Sequence, residues 1–172
     1  MQGYIYSIQF IETISHILTD GINPVIPSLK IVGNINQGNK EENVEQSEPE
    51  TYVKLDTLGI FYKDKLITFA NKDESKGINI INNKITTASI TINYNDIPIT
   101  LELTTLKTKI DVNMKKVTLN ITAKGSIEEV KGNIDLIKIE NINKIQDEGS
   151  KEIKKIVSEA IKLAQNNKTD IF

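Results

Sequence analysis

Apolar and polar residues alternate with a period of two through much of the chain, and the elements this predicts are strands. Leu58, Ile60 and Tyr62 share one side of a run that reaches Lys63-Asp64-Lys65. Beyond it Leu66 and Thr68 alternate with Ile67 and Phe69, which describes a β-hairpin. Ala88, Ile90, Ile92 and Tyr94 alternate with Ser89, Thr91 and Asn93, and Asn95-Asp96 makes the next turn. Ile97, Ile99, Leu101 and Leu103 form the return strand, with Pro98 suited to its start or to an edge. A further run, Ile110, Val112 and Met114, reaches Lys115-Lys116 and returns as Val117, Leu119, Ile121 and Ala123, where Lys124-Gly125 is expected to break it. So long an alternation predicts an antiparallel sheet with one face in water.

Spacings of three and four mark the helices. Tyr4, Ile8, Ile11, Ile14, Ile17 and Leu18 lie along one stripe of a helix over roughly the first twenty residues, which Gly21 ends. Pro24 and Pro27 then impose an extended passage into a strand at residues 29–32. Asn71 stands three residues before Glu74, the spacing of a capping box, and opens a helix that Gly77 is expected to keep short. Ile153, Ile156, Val157, Ala160, Ile161 and Ala164 form the apolar stripe of a long final helix, opposed by Glu152, Lys154, Lys155, Glu159 and Lys162. Its regular part is expected from about Ser150, with Ile142 and Ile145 in an earlier turn interrupted near Gly149.

Residues 33–50 break both patterns. They are rich in Asn, Gln, Gly and Glu, too polar to offset the entropy of ordering, and predict a linker or mobile loop. The pattern as a whole predicts an α+β fold, an antiparallel β-sheet packed against a long C-terminal helix. A helix-strand fragment of an adjoining domain precedes it. Residues 1–33 are read as the helix-strand end of a preceding domain, 34–51 as a polar acidic linker or loop, and 52–172 as a C-terminal α+β domain that is expected to be incomplete.

Composition removes whole classes of chemistry. The chain has 172 residues and no cysteine, so disulfides, thiolate metal sites and thiol catalysis are excluded. All of its basic side chains are lysines, without the guanidinium fork that grips phosphates and base edges, and the net charge of -2 also argues against nucleic acid. His16 is the only histidine and cannot build a usual zinc site alone. The acidic run of Glu41, Glu42, Glu45, Glu48 and Glu50 lacks EF-hand spacing and is read as a solvated charge run.

Asp73 with Glu74, and Glu128 with Glu129, are neighbours in sequence and do not converge on one substrate atom. Asp56 and Asp111 have ordinary solvent-facing readings. Asn120-Ile121-Thr122 fits a glycosylation sequon but falls mid-strand. No phosphate-cradling loop or nucleophile elbow is present. No catalytic, cofactor-binding or metal-ligating residue is assigned.

Four stretches carry a family resemblance. The hairpin turn Lys63-Asp64-Lys65-Leu66 followed by the polar residues 71–77, the proline-containing segment 20–29 (DGINPVIPSL), residues 127–136 (IEEVKGNIDL), and Ala164-Gln165 with Thr169-Asp170-Ile171-Phe172 occur in the same order as in the Ger(x)C family. These are the C subunits of spore germinant receptors, which the chain resembles in its C-terminal part. The resemblance implies a non-enzymatic protein at the outer face of the spore inner membrane, with receptor membrane subunits of A and B type as partners. It also implies a signal peptide and a lipid-modified cysteine outside this sequence, so that the chain is expected to be part of a longer protein. In the family a glycine-rich turn, a further helix and additional strand structure follow the position of Phe172, which is why the domain is expected to be incomplete.

Two functions are therefore carried forward. One is receptor assembly or signal coupling during germination through broad protein-facing surfaces. The other is an uncharacterised α+β ligand-binding or hydrolytic domain, which requires a concave pocket with converging polar groups.

Overall fold

The computed structural model describes residues 3, 8–38, 40–45 and 48–172. Two three-stranded antiparallel sheets share the core with two helices. Sheet A takes the order β1-β2-β3, from β1 (Val25–Val32), β2 (Tyr52–Tyr62) and β3 (Lys65–Phe69). Sheet B takes the order β4-β5-β6, from β4 (Ala88–Tyr94), β5 (Ile97–Asn113) and β6 (Lys116–Val130). The helices α4 (Lys72–Ile81) and α5 (Ile139–Asn167) pack on one another, and α5 also lies against β4. The α+β fold class with a long final helix thus stands, and the hairpin at Lys63 belongs to a separate sheet from the later strands.

Residues 55–85 are the hub of this arrangement. Asn71 and Glu74 make the full capping box: the Asn71 side chain accepts the Glu74 N–H at 2.9 Å and the Glu74 carboxylate accepts the Asn71 N–H at 2.7 Å. Two orphan donors of α4 are satisfied there. The helix that follows runs ten residues and is buried nearly all round. Gly77 is the reason it can be, because a Cβ there would stand 2.5 Å from the Ile156 carbonyl oxygen and 2.8 Å from the Ala160 Cβ of α5. The glycine shortens the distance between two helices more than it shortens α4.

Polar side chains then staple α4 to each neighbour. The Leu58 N–H of β2 donates to Ser75 Oγ at 3.2 Å. Lys76 Nζ donates to the Ser89 carbonyl of β4 at 3.0 Å. Past the helix end, Asn83 donates to the Thr108 carbonyl at 2.9 Å and accepts the Thr108 N–H at 2.7 Å, while the Thr108 hydroxyl donates to the Ile80 carbonyl at 2.7 Å. Each of these buried or half-buried groups has its partner; among the described residues Asn79 Oδ1, in the same helix, is buried without one.

The structure departs from the pattern in several places. First, α1 spans only Phe10–Leu18; Tyr4 lies outside the described residues and Ile8 precedes the helix. β1 begins at Val25, ahead of the expected residue 29, and Pro27 is tolerated because β1 is an edge strand.

Second, β5 is one strand of 17 residues, with a bulge where Leu103 and Thr105 face Gly125 and Lys124. The bulge shifts the phase of the alternation, which made one strand look like two. Third, β6 does not break at Gly125 but continues to Val130. A Cβ at Gly125 would collide with the Glu102 carbonyl oxygen of β5, so this glycine admits the close approach of two strands. Fourth, α5 is uninterrupted through Gly149, and Ile145 and Gly149 are buried on the same face as Ile153.

Residues 35–38 and 41–44 form the short helical turns α2 (Ile35–Gly38) and α3 (Glu41–Val44) rather than an unstructured linker. The Asn43 side chain is buried there, donating to the Thr51 carbonyl at 2.7 Å and accepting the Thr51 N–H at 2.9 Å.

Candidate functional surface

Three surfaces stand out. The first is where the chain leaves α5. Lys168 takes the left-handed conformation that ends the helix, and the Thr169 N–H returns to the Ala164 carbonyl at 3.0 Å. The Asn23 N–H then donates to the Asp170 carbonyl, and the Asn23 side chain accepts the Asp170 N–H at 2.8 Å. Asn82 at the end of α4 donates to the Ile171 carbonyl at 2.9 Å, and Ile171 is buried. The residues 169–172 that carried part of the resemblance thus tie the end of α5 to the entry of β1 and the exit of α4.

Beside this tie, α1 is held by Glu12, whose carboxylate accepts from Lys84 Nζ at 2.6 Å. That hydrogen bond holds the Glu12 carboxyl below its usual range, outweighing the opposing effect of burial. His16 stands with Glu12 and Lys84 around a hollow of about 210 Å³ closed by Ile171 and Phe172.

The second surface is the free end of sheet A. Val25 pairs with Ile60 in the core, but further along the same two strands Leu29 pairs with Leu55 and Ile31 with Val53, and all four are exposed. Leu29 keeps 69 % of its surface in water and Val53 60 %.

The third is a trough between α5 and β6. It consists of a hollow of about 700 Å³ around Leu101, Leu103, Ile127, Ile142 and Gly149, and one of about 690 Å³ around Val117, Leu119, Ile121, Val157 and Ile161. Ala123, Ser150 and Ile153 line both, which makes them continuous. No Asp or Glu side chain lines either one.

The carboxylates singled out in the sequence lie apart from these hollows. Glu74 caps α4, and Asp73 pairs with Lys76 at 3.7 Å. Glu129 pairs with Lys131 at 3.7 Å, and Asp56 with Lys54 at 3.9 Å. Asp111 pairs with Lys109 at 3.0 Å and accepts from Asn120 at 2.8 Å, which occupies the amide of the sequon. Glu128 is 3.5 Å from the Ser89 hydroxyl. Among the described residues no three of His, Asp or Glu are grouped to hold a metal ion, and no helix is long and apolar enough to cross a membrane.

The sequence profile described as spore germination B3/GerAC like, C-terminal, matches residues 56–172, from the first strand of the hub to the tie after α5. The chain belongs to the Ger(x)C family. Its frame resembles the crystal structure of the GerBC protein, with a TM-score of 0.63 at 21% identity over 88% of this chain and 44% of that one. Among curated proteins it is similar to spore germination protein KC of Bacillus subtilis (strain 168), 24% identical over 177 residues, or 99% of this chain and 44% of the relative. The Ger(x)C chain described here therefore spans less than half the length of either. Sequence reasoning anticipated the family from four stretches in order: residues 20–29, the 63–66 turn with 71–77, 127–136, and Ala164-Gln165 with 169–172. It missed the trough, because the facing of α5 and β6 depends on a helix continuous through Gly149.

Proposed function

We propose that this Ger(x)C chain is the C-terminal part of a non-enzymatic C subunit of a spore nutrient germinant receptor, acting in receptor assembly or signal coupling. The observation that carries the reading is the family match over residues 56–172 on an α+β frame. The surfaces agree with it. Apolar side chains are exposed at the end of sheet A, and half-buried ones, Leu119, Ile121, Ile127 and Ile161, line the trough.

In this reading the partners are the A- and B-type membrane subunits of the receptor, at the outer face of the spore inner membrane, and a lipid anchor outside residues 1–172 provides the attachment. Residues 1–33 belong to a preceding domain, 34–51 connect, and 52–172 form the C-terminal α+β domain. The profile's start at residue 56 supports this division. The pairing of β1 with β2 then makes the junction of the two domains a shared sheet. Deleting the gene should abolish or sharply slow germination triggered by one class of nutrient while leaving spore yield unchanged. Spores that germinate at the parental rate with every nutrient would overturn the proposal.

A further inference from the structure

We propose that the trough between α5 and β6 is a docking site for an amphipathic helix that carries acidic side chains along both flanks of its apolar stripe. The shape argues for a helix. α5 packs on β4 and α4, so the face of β6 beside it is left as a strip with α5 as its wall. The floor is Leu119, Ile121, Ala123 and Ile127, and the wall runs from Ile142 through Ile153 and Val157 to Ile161. That wall is about 28 Å long at the helical rise, the length of a helix of about 20 residues. Small residues, Ser150 on the wall and Ala123 on the floor, sit where a second helix would come closest. An added strand would pair with the outer edge of β6 but would leave the corner between wall and floor unfilled.

Charge argues for the flanks. Lys144, Lys151 and Lys155 of α5 are each paired with a glutamate of the same helix, at 2.7, 2.7 and 3.2 Å. Lys124 on the floor side and Lys154 on the wall side line the trough, and among the described residues neither has a carboxylate within ion-pair distance. These two lysines are the charged residues lining the hollows, with no Asp or Glu beside them, which favours an acidic partner over a basic one.

The test is fluorescence anisotropy with two synthetic 20-residue helical peptides that share one apolar stripe and differ only in having Glu or Lys flanks, combined with amide hydrogen exchange on the whole protein. The Glu-flanked peptide should bind about tenfold or more tightly than the Lys-flanked one, weaken with added salt, and protect residues 117–127 and 142–161. K124E/K154E, a change of two exposed side chains, should reverse the preference. Ser150→Trp should block binding with the circular dichroism spectrum unchanged. Equal affinity for both peptides, or protection outside the trough, would overturn the proposal. So would protection of 117–127 without peptide, either in a concentration-dependent manner, which assigns the trough to a second copy, or in a longer form of the protein, which assigns it to its own chain.

Discussion

Gly77, Asn43 and Glu12 show what single residues do in this fold. Gly77 lets α4 and α5 touch backbone to backbone, and Gly77→Ala forces its methyl against the Ile156 carbonyl and the Ala160 Cβ. Overpacking of this kind costs about 1–3 kcal/mol, read as a lower urea midpoint with the slope unchanged. Asn43→Ala leaves the buried Thr51 N–H and carbonyl without their partner. The unmet desolvation is about 1–3 kcal/mol, which equilibrium unfolding would report; an unchanged midpoint would show that the segment carries no stability.

Glu12 makes a pH prediction. Its carboxyl is held below the ordinary value of 4.5, chiefly by the hydrogen bond from Lys84. A depressed folded-state pKa stabilises the folded form above the unfolded value and loses that contribution as the pH falls through the lowered one. The tie between α1 and Lys84 should therefore hold at neutral pH and loosen only below about pH 4.5. Chemical shifts of α1 amides should titrate in that acid range and cease to do so in Glu12→Gln.

At the scale of elements, the strands and caps were legible and the continuities were not. The alternation around Ile90 and Ile99 and the Asn71–Glu74 spacing encode their elements locally, and both are found as expected. The breaks expected at Gly125 and Gly149 do not occur, because each glycine answers to a neighbouring element: Gly125 to the backbone of β5, Gly149 to Leu101. Propensity marks a glycine as a weak point, and only packing tells whether it is a break or a close contact. In the same way the bulge after Leu103 hides the unity of β5. Since α5 is a single buried-faced helix, Ile156→Ala should cost about 2–5 kcal/mol, and amides on both sides of Gly149 should exchange together. A near-zero cost would contradict the packing of α5 in the core.

For the molecule as a whole, the sequence carried the family and the fold class, while the exposed apolar surfaces needed the structure. Four short segments in order sufficed for the first, and those at 71–77 and 164–172 lie at the capping box of α4 and at the tie after α5. The exposed pairs Leu29–Leu55 and Ile31–Val53 read in sequence as ordinary strand residues, and nothing local distinguishes them from the buried Val25–Ile60 pair. That such apolar surface meets other proteins is the central claim. The most direct measurement is a pull-down of the tagged protein from spore membranes, with the recovered polypeptides quantified by mass spectrometry. A- and B-type germinant receptor subunits should be enriched well above an untagged control, and recovery of neither would contradict the account.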